Sequence, residues 1–147
     1  MASVSAPVSE AAAWADEAGW QALLERHGRL FDAWVEGAAV ALVPREAADA
    51  GNGEMLAWVR RDGSMRIERR RFVGFADCDV AVLFVAEPGA LAAVHERLHD
   101  NALGAMKLQL RHGGMLLYVL APKAQLLDDG YEDFLETLGL AFMGACR

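Results

Sequence analysis

Gly104-Ala105-Met106-Lys107-Leu108-Gln109-Leu110-Arg111-His112-Gly113-Gly114-Met115-Leu116-Leu117-Tyr118-Val119-Leu120 is the stretch whose reading decides the fold. Lys107, Gln109 and Arg111 alternate with Leu108 and Leu110, which predicts a strand with one polar and one apolar face. Gly113-Gly114 permits a tight reversal. Met115 to Leu120 is apolar on both faces, the pattern of a central strand, and Pro122 ends it because proline cannot donate to the ladder. Asp128-Asp129 then precedes a helix on which Tyr131, Phe134, Leu135, Leu138, Phe142 and Cys146 recur at three- and four-residue steps. The last third, Gly104 to Arg147, therefore reads as a strand pair closed by a helix.

Working outward, Val80 to Val85 is another buried strand, followed by a helix from about Pro88 to Asn101 with Leu91, Val94 and Leu98 inward. Met55–Arg61 and Met65–Phe72 form a hairpin over Asp62-Gly63. Ala38 to Val43 makes a short strand before Pro44, and Arg45 to Gly53 reads as a loop. The first helix is capped near Ser9 and shows its clearest apolar face at Leu23, Leu24, His27, Leu30, Phe31, Trp34 and Val35. Gly19 and Gly28 each weaken it by about 1 kcal/mol, so a break is expected there. Residues 1–9 form a flexible N-terminus, and residues 10–147 form a single α+β domain. Its antiparallel sheet of about five strands packs with helices in the order α-β-β-β-α-β-β-α.

A chain of 147 residues with 54% apolar content buries a core without staples. Cys78 and Cys146 belong to no CxxC pair, which points to a reducing, cytoplasmic setting. No signal peptide and no membrane span are legible. Charge is uneven. Residues 60–71 hold six arginines against Asp62 and Glu68, a local +4, which leaves −11 for the rest of a chain whose total is −7. Such an acidic body disfavours nucleic acid.

His95-Glu96-Arg97-Leu98-His99 is a formal HExxH on a predicted helix, a spacing that sets two imidazoles one turn apart for zinc with a glutamate beside them as base. Against it, Arg97 puts a charge where an uncharged residue is usual, and Ala102 and Ala105 stand where the extended motif has glycine and a third histidine. The solvated flank of a helix is the stronger reading of His95 and His99, with zinc hydrolysis the minority one. His27 reads as a core or rim histidine and His112 as exposed. There is no GxSxG, P-loop or GxGxxG, and Asp77 and Asp79 should raise the Cys78 thiol rather than activate it. The arginine-rich strand reads as a solvated edge, or as a docking edge for an acidic or phosphate-bearing partner.

The run Leu98–Asn101, Gly113-Gly114, Leu116–Leu120, Leu126–Asp128 and Phe134–Leu138, in this succession of elements, resembles the small acidic class I (CesT/Tir-type) chaperones of type III secretion. The resemblance implies a non-enzymatic homodimer without cofactor that keeps a segment of another protein extended on hydrophobic grooves and sheet edges. Met55, Trp58, Ile67, Phe72 and Phe75 would then line the groove, Arg69 and Arg71 would anchor the client, and Phe134, Leu138 and Phe142 would form the dimer face. The rival classes are the zinc hydrolase at His95, Glu96 and His99, and a small-molecule or cofactor sensor with a pocket between sheet and helices.

Overall fold

The computed structural model describes residues 9–140. Two short helices open it, α1 (Glu10–Ala15) and α2 (Glu17–Arg26). The Ser9 hydroxyl accepts the Ala12 N–H to start the first, and Asp16 both ends it and caps the second by accepting the Gly19 N–H. The break thus falls at Asp16, where a carboxylate supplies a new cap, and a 3-10 turn over Gly28–Phe31 follows.

The sheet is built from β1 (Ala39–Pro44), β2 (Gly53–Arg61), β3 (Ser64–Phe72), β4 (Val82–Ala86) and β5 (Met115–Val119), in the spatial order β3-β2-β1-β4-β5. The fold is α+β with five strands, as the patterning predicts. The short run before Pro44 is the middle strand and pairs parallel with β4, so the sheet is mixed. The remaining pairs are antiparallel. The β2–β3 hairpin turns at Asp62 (φ 53°) and Gly63 (φ 79°), the two left-handed residues that a tight hairpin requires.

Two predicted loops or strands are helices. Residues 45–53 fold into α3 (Arg45–Ala50), with Arg45 and Asp49 paired one turn apart. The larger correction is α5 (Ala102–His112), where a strand was expected over 107–111. Leu103, Met106 and Leu110 fall on one helical face, and the first two are buried while Leu108 is half exposed. Ala, Leu, Met, Lys, Gln and Arg dominate this segment, and all favour helix. The Asn101 side chain caps the start and Gly113 at φ 85° caps the end. The diglycine therefore stops a helix instead of turning a hairpin. The helix expected over 88–101 is cut to α4 (Ala90–His95) by the new start at Asn101. After β5 come α6 (Lys123–Asp128) and α7 (Glu132–Thr137), and Phe142 and Cys146 lie outside the described residues.

One sheet face carries Val40, Leu42, Leu56, Trp58, Val82 and Phe84 beneath the helical layer. The other carries Ala41, Val43, Met55, Ala57, Val59, Leu83 and Val85, covered by α3 and by the segment that holds Phe75, Cys78 and Val80. Gly130 lets the chain turn into α7 against Ala33, at φ 88° with no room for a Cβ.

Candidate functional site

The HExxH residues do not converge. α4 ends at His95, so His99 lies beyond it and is exposed. His95 is largely buried, its Nε2 is 2.8 Å from Asp16 Oδ2, and its ring meets Trp20 edge-on at 5.8 Å. This pair fastens α4 to the α1–α2 junction and holds the Asp16 carboxyl below its ordinary range, chiefly through the His95 contact and then the Gly19 N–H. Among the described residues no group of three His, Cys, Asp or Glu side chains is placed to hold a metal ion. The zinc-hydrolase reading is corrected on that geometry.

The residues expected to bind a partner are scattered. Met55, Trp58 and Phe72 are at most 2% exposed and belong to the core, on opposite faces of the sheet. Ile67 is half buried, and Phe75 packs on Phe72 and Tyr118. Arg69 reaches Glu17 and the Trp14 carbonyl, while exposed Arg71 reaches Asn52 Oδ1. Arg61 at the end of β2, Glu68 and Arg70 on the outer strand β3, and Asp79 before β4 form an ion-pair chain, and the Arg61 guanidinium pulls the Glu68 carboxyl down to about 2. Of the expected dimer face, Phe134 and Leu138 are buried within the chain and Phe142 is outside the described residues. Cys78 has its thiol pushed up, by burial first and by Asp79 as well.

A broad depression lies elsewhere, where the end of α2, the 3-10 turn, the start of α5 and the outer face of α7 meet. It is an open cleft of about 1180 Å³. His27, Leu30 and Leu103 supply its less polar wall, and Glu25, Arg26, Arg29, Lys107, Asp133, Glu136 and Thr137 complete it. Arg26 is tied to the Leu98 carbonyl. Arg29, Lys107, Asp133 and Glu136 make no ion pair among the described residues, so charge of both signs faces the cleft unpaired. Burial lowers the His27 pKa below its ordinary value and Arg26 adds to that, and its Nε2 is buried without a partner. Three further buried donors without acceptors, the indole N–H groups of Trp14, Trp34 and Trp58, belong to or pack against the same core cluster between sheet and helices. Such a group costs about 1–3 kcal/mol when nothing satisfies it.

Comparison with known proteins gives little more. No family model matches the chain, and no curated protein matches it. Two similar solved structures are a protein described as UbiJ-SCP2 ubiquinone synthesis protein and a conserved hypothetical protein of Thermus thermophilus, possibly a sterol carrier protein. The first is 14% identical with a TM-score of 0.44, over 88% of this chain and 94% of its own. The second is 18% identical with a TM-score of 0.42, over 94% of this chain and 90% of its own. Likenesses of that size carry no argument about ligand or activity. The structure itself removes the feature on which the resemblance to secretion chaperones rested. A helix replaces the first strand of the supposed hairpin, and β1 pairs in parallel with β4. The chaperone reading is therefore corrected.

The cleft is not legible in the sequence because its residues come from three separated segments, 25–30, 101–107 and 133–137. The one available signal was Gly28 beside His27, a weak helix point next to a lone histidine in an apolar stripe. No helix among the described residues is long and apolar enough to cross a membrane.

Proposed function

We propose that this chain is a small-molecule-binding domain that holds its ligand, without transforming it, in the cleft between α2, the 3-10 turn, α5 and α7. The observation that carries the reading is the cleft itself. With a volume of about 1180 Å³ and a wide opening to solvent it leaves room for a small molecule, and it joins an apolar patch to Arg29, Lys107, Asp133 and Glu136, which make no ion pair among the described residues. The arrangement suits an amphipathic molecule, with its apolar part over Leu30 and Leu103 and its polar head among Arg29, Lys107, Asp133 and Glu136. It lies among the helices rather than between sheet and helices, since the inner sheet face is filled by side chains.

Titration of the 15N-labelled chain with decanoate and with decyltrimethylammonium tests this and reports the sign of the preferred head. Saturable shifts at Gly28, Leu103, Gly104 and Thr137 are expected. Lys107→Glu should weaken decanoate about tenfold, the order expected for a charge-assisted contact. Shifts that never saturate, or that avoid the cleft for every probe, would dismiss the reading.

A further inference from the structure

The two edges of the sheet are finished differently. On β3 the Gln21 side chain of α2 closes the edge. Its Nε2 donates to the Met65 carbonyl at 2.9 Å and its Oε1 accepts the Ile67 N–H at 2.9 Å, as a neighbouring strand would. On β5 no side chain among the described residues does this. The Leu120 N–H donates to the Ala81 carbonyl and the Glu87 N–H to the Gly114 carbonyl, both at 2.8 Å, in a ladder that sets Tyr118 opposite Leu83 and Leu116 opposite Val85. Even-numbered residues of β5 therefore turn their backbone toward β4, and odd-numbered ones turn it away. Met115 is buried, but Leu117 is only half-buried and Val119 is 49% exposed, and neither backbone has a hydrogen bond on its outer side among the described residues. This edge is also apolar. No residue from Gly113 to Pro122 is charged, in a chain of net charge −7. Of the large apolar side chains exposed among the described residues, Tyr118 and Val119 lie on β5, and Leu108 and Leu127 lie on the helices directly before and after it. A bare apolar edge is a template for another strand.

We infer that a second copy of this chain fills this edge, β5 pairing antiparallel with β5 of the other copy about a two-fold axis at Tyr118, so that the two sheets run on as one. In that register Leu117 of each copy meets Val119 of the other and exchanges both hydrogen bonds with it. The two Tyr118 side chains face each other at a non-hydrogen-bonded position, where cross-strand side chains come closest. Each Tyr118 already packs on Phe75 with ring centroids 4.8 Å apart, so the pairing joins two aromatic pairs into one row. A second copy is the occupant that fits, because an antiparallel strand pair about a two-fold axis is self-complementary. The edge offers no charge to select a charged peptide, and it lets two chains of net charge −7 approach where their repulsion is least.

Sedimentation velocity and amide hydrogen exchange on the full chain make the test. The mass should rise from 15.9 kDa toward twice that value as the chain is concentrated. The Leu117 and Val119 amides should gain protection in step with the dimer fraction, while the Tyr118 amide, turned toward β4, stays protected throughout. Val119→Pro removes an N–H that points away from β4, a loss an edge strand tolerates, and should weaken the dimer at least about tenfold because each copy forfeits one hydrogen bond. Val119→Thr keeps the branched shape and the N–H, and should dimerise as the parent does. Added salt should tighten the dimer by screening the repulsion between acidic copies. A monomer at every concentration overturns the inference, whether its Leu117 and Val119 amides exchange freely or are covered by another part of the chain. A dimer that leaves those two amides unchanged, that survives Val119→Pro at full strength or that weakens as salt rises is built on another surface, and overturns it as well. The two amides report on the parent chain itself, so the outcome holds even if Val119→Pro fails to fold.

Discussion

The Tyr131 hydroxyl and the backbone of Ala39 satisfy each other in both directions. The hydroxyl accepts the Ala39 N–H at 2.7 Å and donates to the Ala39 carbonyl at 3.2 Å. The side chain that leads into the last described helix thereby completes the hydrogen bonding at the start of the middle strand, 92 residues away. Burial drives the Tyr131 phenol up to about 12.

Tyr131→Phe keeps the ring and removes the acceptor, leaving a buried N–H unpaired. The Ala39 carbonyl retains the Ala81 N–H, so one donor alone is orphaned. A loss of about 1–3 kcal/mol in urea denaturation is expected, with an unchanged m-value. A loss below a few tenths of a kcal/mol would mean that water reaches Ala39.

Residues 102–112 offer a contrast that separates helix from strand. Met106 and Leu108 would share one face of a strand, yet Met106 is fully buried and Leu108 is half exposed. Met106→Ala should cost about 2–5 kcal/mol, and Leu108→Ala should stay within about 0.5 kcal/mol of the parent. Equal costs would contradict the helix. The lesson for reading sequences is specific: Lys107-Leu108-Gln109-Leu110-Arg111 satisfies a two-residue period over five positions, too short a window to exclude the helical one. Leu103 and Met106 decide it, and they lie outside that window.

Asp16 serves a helix cap and a histidine at once. Asp16→Ala removes the α2 cap and the partner of His95, and about 1–2 kcal/mol of stability should go with it. His95→Ala should change the response to added zinc little, because His99 lies beyond the end of α4 and is exposed. Zinc bound one to one in calorimetry by the parent chain and lost in His95→Ala would reverse that conclusion.

Acid should weaken the hairpin edge. Glu68 has its pKa lowered from 4.5 to about 2 in the folded chain, so the unfolded chain binds the proton first. Its contribution is present above pH 4.5 and is lost as pH falls toward 2. On a partly solvated strand that contribution is about 1 kcal/mol. Glu68→Gln should flatten the stability curve within that window. An unaltered slope would show the ion-pair chain to be energetically idle.

What the sequence determined by itself is local and periodic. Asp62-Gly63 between alternating runs is enough to set the β2–β3 hairpin, since few residues tolerate two left-handed positions in a row. The unbroken apolar run before Glu87 is enough to place β4 in the interior, because such a strand has no face to give to water. What only the tertiary structure decided is which distant segments meet. The parallel pairing of β1 with β4, the capture of His95 by Asp16 and the gathering of His27, Leu103, Lys107 and Glu136 around one cleft all join residues far apart along the chain. Those contacts depend on closing long loops around a shared core, a free energy of the whole domain that no short stretch of residues contains.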